Sequence, residues 1–240
     1  MAALGCCIGM SVLLGACGAK LDVQENTIAL QKSGKVLEAA VESFDQSYYD
    51  EEELNTYVQK AVEAYTQEHG KKSVSVTDSK VEEKKAYLTL QYEDAETFSD
   101  FSGVECFSGS IVEAQAAGYD FDLDFYPVTE GKADKKSVKG STLLKEDDLK
   151  VLIVKANSDL IVPGKIVYVS ADGTEVTSEK QVNVTQKKQG YRRSGTGLCT
   201  ISIGIEGYFK INGRKRTYNG KDNGENCGTG KIQRICISGI

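Results

Sequence analysis

Apolar and polar positions alternate through most of the chain between Thr27 and Val184, and the period changes sharply in a few places. Thr27 to Gln31 alternates, Lys32-Ser33-Gly34-Lys35 forms a turn, and Val36 to Val41 resumes, which predicts a β-hairpin. From Asp50 the period becomes helical: Leu54, Val58, Ala61, Val62 and Tyr65 fall on one face. Asp50 is the N-cap, with Glu53 at capping-box spacing, and Glu51–Glu53 suit the positive end of the helix dipole. His69-Gly70 ends the helix. Two strands follow, one marked by Val74, Val76 and Val81, the other by Ala86, Leu88, Leu90 and Tyr92, with Glu82–Lys85 as the turn.

Asp94 caps a short helix carrying Phe98 and Phe101 and closed by Gly103. Ser110-Ile111-Val112-Glu113 is a capping box that opens another short helix, which stops at Gly118. Tyr119, Phe121, Leu123 and Phe125 alternate with Asp120, Asp122 and Asp124, so a strand is expected there. Residues 129–142 hold no large apolar side chain and read as a boundary or inserted loop. Leu149 to Lys155, Leu160 to Val162 and Lys165 to Ser170 are β-like, and Asp172-Gly173 is a hairpin signal. The expected class is α+β, mostly antiparallel, with one long and two short helices.

The first sixteen residues follow neither period. No charged side chain stands between Met1 and Gly18, and Ala2 to Ala16 has the length of a signal-peptide apolar region, too short to span a bilayer. Leu14-Gly15-Ala16-Cys17 places small residues before a thiol. Such spacing gives a processing enzyme access to the peptide bond, and it leaves a cysteine at the new N-terminus to carry a diacylglyceryl group. The segment resembles the bacterial lipobox. A basic n-region does not precede it, which an upstream start codon would supply. The alternatives are a buried apolar helix, or processing earlier at Cys6. Residues 1–16 are thus expected as a signal peptide, Cys17 as the lipid-attachment site, 17–26 as a tether and 27–186 as the folded domain.

Charge splits the chain. Residues 1–186 carry 18 Lys, no Arg and 32 Asp+Glu, a net of −14; residues 187–240 carry 6 Lys, 5 Arg and 3 Asp+Glu, a net of +8. The acidic part repels phosphate, so nucleic acid is not expected as a partner. The last 54 residues also hold 11 of the 24 Gly and lack apolar periodicity except from Leu198 to Ile205. Three readings stand for 187–240: a basic Gly-rich tail, a frameshift product beginning near Gln186–Arg193, or a small β unit. Arg192-Arg193 and Arg214-Lys215-Arg216, with Tyr191, Tyr208 and Tyr218 nearby, would suit anionic lipid or a wall polymer.

Reactive constellations are scarce. His69 is the one histidine, which rules out HExxH-type zinc motifs. No GxSxG elbow, GxGxxG fingerprint or Walker loop occurs, and Cys227-Gly228-Thr229-Gly230-Lys231 lacks the spacing of a phosphate loop. Asp120, Asp122 and Asp124 offer calcium-type oxygens, but on a strand they stand about 7 Å apart, too far for one compact cage. Cys106 reads as a small core residue, and Cys199, Cys227 and Cys236 lack close metal-ligand spacing. No catalytic residue, metal ligand or cofactor is expected.

The chain resembles Gram-positive bacterial lipoproteins of unknown function. The resemblance rests on Leu14–Cys17 and, more loosely, on FDQSYYDEEEL (44–54), VEAQAAGYDFD (112–122) and VPGKIVYVS (162–170). It implies a lipid anchor on the outer face of the cytoplasmic membrane, with an envelope protein or polymer as partner. A non-catalytic binding module is the expected function. The alternatives are a solute-binding lipoprotein serving a transporter and an envelope hydrolase that uses two carboxylates.

Overall fold

A computed structural model describes residues 21–146, 148–170, 173–185 and 199–204, the last as backbone path only. The lipobox-like segment and most of the last 54 residues lie outside these.

Two sheets carry the fold. The strands of the first are β1 (Thr27–Leu30), β2 (Val36–Ser43), β3 (Val74–Glu82), β4 (Lys85–Tyr92), β10 (Ser158–Ile161), β12 (Thr174–Ser178) and β13 (Gln181–Val184). Their order is β12-β13-β10-β1-β2-β4-β3. All pairs are antiparallel except β1 with β10, which run parallel with Ile28 opposite Leu160. The second sheet is built from β5 (Cys106–Ser110), β6 (Asp124–Thr129), β7 (Lys132–Ala133), β8 (Val138–Lys139), β9 (Lys150–Val154), β11 (Lys165–Ser170) and β14 (Cys199–Gly204). It runs β5-β9-β14-β11-β6-β7, with β8 also on β6. The α+β class, with a mostly antiparallel sheet, is therefore observed.

Four helices occur among the described residues: α1 (Glu51–His69), α2 (Ala95–Ser102), α3 (Ile111–Ala116) and the single turn α4 (Gly140–Leu143). The first three begin where side-chain oxygens relieve unpaired N–H groups. Asp50 Oδ1 accepts from Glu53 N–H at 2.8 Å, and Asp94 Oδ1 accepts from Thr97 N–H at 2.8 Å. Ser110 and Glu113 make the reciprocal box, and the bonds from Ser110 hold the Glu113 carboxyl below its usual range. Gly103 ends α2 at φ 72°, in the left-handed region where glycine carries no Cβ penalty.

The facing surfaces of the two sheets meet in one core that holds Leu90, Tyr92 and Leu160 from the first and Leu152, Val154, Ile166 and Val169 from the second. Val58 of α1 and Phe98 of α2 belong to it. The far side of the second sheet packs Val151, Ile153 and Phe125 against Ile111 and Ala114 of α3 and Leu143 of α4. The far side of the first sheet packs Ala29, Leu37 and Ala39 against Leu21 and Val23.

Several expectations need correction. The tether does not run free to residue 26: Leu21 and Val23 are buried on the sheet. The strand expected from Tyr119 begins only at Asp124. Before it, Asp122 N–H donates to Asp120 Oδ1 at 2.8 Å, an Asx turn that breaks the strand geometry. Burial still alternates there, because Phe121 and Phe125 both enter the core while Asp120 and Asp122 stay exposed. Segment 129–142 is no boundary. It forms β7, β8 and the start of α4, tied back by Gly140 N–H to Leu123 O at 2.9 Å. Gly140 is required there, since a Cβ would stand 1.9 Å from Phe121 O. That single turn is a third short helix where two were expected. Gly173 does not close a hairpin either: β11 belongs to the second sheet and β12 to the first, so the chain changes sheets at that point. The six described residues of the last 54, Cys199–Gly204, form β14 between β9 and β11, within the one apolar run of that region.

Candidate functional site

Strand pairing places one acid in an apolar row. On β2, Val36, Glu38, Ala40 and Glu42 share the face that turns toward the main core, while Leu37, Ala39 and Val41 face Leu21 and Val23. Across the sheet, Glu38 lies in register with Ile28 of β1 and Leu90 of β4, and Leu90 with Val76 of β3. Ile28 pairs in turn with Leu160. A carboxyl thus interrupts a row that is otherwise aliphatic.

Above this row the helices leave a gap. A cleft of about 290 Å³ lies between β1, β2 and β4 on one side and Leu54 of α1 and the end of α2 on the other. That is close to the lower end of the range for small-molecule sites. Its apolar walls include Ile28, Leu88, Leu90, Phe101 and Val104. Its polar groups include Asn26, Ser102, Asn157, Ser158 and the carboxyls of Glu38 and Glu42; among the described residues no Lys, Arg or His lines it.

Glu38 is set by Tyr92. Tyr92 is fully buried, and its hydroxyl donates to Glu38 Oε2 at 2.5 Å. Burial raises the Glu38 carboxyl above its ordinary range, and the hydrogen bond from Tyr92 only partly offsets this. Burial, then the adjacent carboxylate charge, push the Tyr92 phenol well above its own range. The tyrosine is itself held by Phe98, edge-on at 5.1 Å between ring centres, and by Phe101 at 5.8 Å. Tyr65 Oη of α1 donates to Asp100 Oδ2 of α2 at 2.8 Å, tying the two helices together beside the cleft. Asn55 Oδ1 accepts from Ser79 Oγ at 2.6 Å and anchors α1 to β3. Asn26 holds the other side: its Oδ1 accepts from Val41 N–H at 2.7 Å and its backbone oxygen from Asp159 N–H at 2.8 Å. Its side-chain amide reaches Glu42 Oε1 at 3.4 Å.

Residues singled out in the sequence lie elsewhere. Leu14, Gly15, Ala16 and Cys17 fall outside the described residues. His69 stacks on Tyr65 at 4.0 Å, at the half-exposed edge of the contact between α1 and α2, with Asp100 Oδ2 3.9 Å from its Nε2. Cys106 is buried and its thiol is pushed up to about 12 by burial, which makes it inert as a nucleophile. Ser99 Oγ brackets it, accepting from Cys106 N–H and donating to Cys106 O. Asp124 pairs with Lys139 at 2.8 Å. Among the described residues, no cluster of His, Cys, Asp or Glu is grouped to hold a metal ion, and no helix is long and apolar enough to cross a membrane.

Sequence reasoning missed Glu38. Its signal was present: in Val36-Leu37-Glu38-Ala39-Ala40, the acid is in phase with Val36 and Ala40, both inward positions. Comparison with protein-family models gives no match, and neither do comparisons with curated proteins or with solved structures.

Proposed function

We propose that the chain is a lipid-anchored, non-catalytic binding module of the cell envelope, tethered through Cys17 to the outer face of the cytoplasmic membrane. The cleft beside Glu38 is its binding site. The observation that carries the binding half is a cleft whose acid is pinned by a buried tyrosine, with no nucleophile–base pair among its lining groups. Support for the anchor comes from Leu14–Cys17, whose cysteine stands four residues ahead of Leu21, the first packed side chain among the described residues. Four residues reach at most about 14 Å. The face of β2 that packs on Leu21 would then turn toward the bilayer, and the cleft, on the opposite face, away from it.

The cleft volume favours the solute-binding form of this reading over a flat protein-docking surface. The hydrolase alternative fits less well. Glu38 and Glu42 stand on one strand face, four residues and about 13 Å apart along the backbone. Paired glycosidase carboxylates flank a bond from opposite sides at about 5–9.5 Å.

Growth with labelled palmitate tests the anchor. Label is expected in the wild-type protein and absent from Cys17→Ala, which should leave the membrane fraction. An unlabelled, freely soluble wild-type protein would remove the anchor from the reading.

A further inference from the structure

We propose that the cleft takes a small aliphatic amine: a primary ammonium on Glu38, with its unbranched stem along the β2–β4 trough. This deepens the reading of the cleft as a binding site and does not depend on the anchor.

Three observations select that chemistry. The first is charge. Among the described residues the cleft is lined by two carboxyls and no cationic side chain, so an anionic ligand would meet repulsion and unpaired oxygens there. The second is the state of Glu38. Tyr92 engages Oε2, and Glu38 lines the cleft, so Oε1 is the acceptor that remains for a ligand. A neutral apolar ligand would bury that oxygen without a donor, at the cost of its hydration. A guanidinium binds best as a two-pronged fork on both carboxylate oxygens. With one oxygen already held by Tyr92, the compact, rotatable ammonium is the better match. The third is shape. From Glu38 toward Glu42 the trough floor is Ala40, opposite Leu88, with Leu54 and Phe101 above. Small floor and aliphatic walls suit an extended methylene stem. Glu42 adds negative potential further along the same strand face.

The binding event is an ion pair with no covalent step. Where Glu38 is protonated beforehand, its proton leaves to solvent as the ammonium arrives, and the Tyr92 hydrogen bond is kept.

Calorimetric titration of the full chain in nanodiscs, with empty nanodiscs as blank, tests this with pentylamine, pentan-1-ol and pentanoate. Pentylamine is expected to bind, the alcohol at least about tenfold more weakly, and pentanoate not at all. Glu38→Gln should weaken pentylamine by about tenfold or more while unfolding as cooperatively as wild type. Ala40→Leu, which fills the trough without touching the acid, should abolish binding of every probe. Alcohol or pentanoate binding as tight as pentylamine, or undiminished pentylamine binding in Glu38→Gln, overturns the proposal. A small peptide amide of lysine separates the two sources of an ammonium: binding tighter than pentylamine would make the occupant a protein side chain and overturn the free-amine assignment. Loss of palmitate labelling with amine binding intact removes only the anchor, whereas intact labelling with no amine binding removes only this inference.

Discussion

Helices cover one face of each sheet, and the two coverings are filled differently. On the outer face of the second sheet, α3 and α4 bring Ile111, Ala114 and Leu143 onto Phe125, Val151 and Ile153, all buried, with no charged group among them. On the inner face of the first sheet, α1 and α2 stand over a row that includes Glu38, and they leave a cleft. The reason is local. Helix α3 has six residues and α4 four, so they sit flush on the strands, and Gly140 lets the backbone approach Phe121 O. Helix α1 has nineteen residues, only Val58 of them fully buried, and it bridges from β3 across the sheet. A long, mostly polar helix reaches over a concave surface without filling it. Space for a ligand arises where the covering helix is held by its ends and by a few polar ties.

That comparison predicts its own largest break. Phe125 has no exposed surface and stacks near Phe121 in the sealed core. Phe125→Ala should cost about 3–5 kcal/mol. Leu54, on the wall of the open cleft and half-buried, should cost less than about 2 kcal/mol as Leu54→Ala. Urea unfolding monitored by circular dichroism reads both. Equal losses would mean that the cleft is closed in solution.

Enlarging a residue sharpens the same contrast. Ala114 is wholly buried on the inner face of α3, and Ala114→Leu should overpack, with a loss of about 1–3 kcal/mol. Ala40 lines the cleft, and Ala40→Leu should change stability by no more than about 0.5 kcal/mol, because the added atoms enter existing space. A destabilisation by Ala40→Leu comparable to that of Ala114→Leu would show the trough to be packed.

How much of this was legible in the sequence differs between the two regions. Ser110 to Glu113 announces α3 by chemistry that acts within four residues, and Asp94 and Asp50 do the same for α2 and α1. Alternation likewise gave Ala86–Tyr92 its two faces. These signals are local, so a single chain displays them. Partners are not local. Nothing in Thr27–Leu30 says that it will lie parallel to Ser158–Ile161, and nothing in Cys199–Gly204 says that it will sit between β9 and β11. The Asp172-Gly173 signal reads as a hairpin because a turn's sequence specifies its bend and not which sheet receives the next strand. Glu38 stayed hidden for a related reason. An acid on an edge or solvent face and an acid under a helix look alike until α1 and α2 are placed above it.

The smallest expected effect is the pH dependence that Glu38 imposes on the first sheet. Its carboxyl is raised from an ordinary value of 4.5 by burial, so the folded protein holds its proton to higher pH than the unfolded chain does. Stability therefore falls as pH rises from about 4.5 through the folded-state value. The charged and titratable groups nearest to it are Tyr92, which donates to it, Glu42 on the same strand face, and Tyr65, which acts on Tyr92 only when ionised. Both tyrosines are raised above 10, so they stay neutral throughout the window and add no slope there. Glu113 runs the opposite way: its carboxyl is lowered, so its contribution is complete above 4.5 and is lost only as pH falls further. Above about pH 4.5, and below the range in which the tyrosines ionise, the two sites separate. Glu38→Gln keeps an oxygen to accept from Tyr92 and carries no charge, so its midpoint of thermal unfolding should vary less with pH than the wild type's and exceed it at the alkaline end. Glu113→Gln should leave the slope in that window unchanged. If Glu38→Gln instead steepens the fall toward high pH, the acid is ionised and well solvated in the folded protein, and the cleft is open water and not a site poised for a cation.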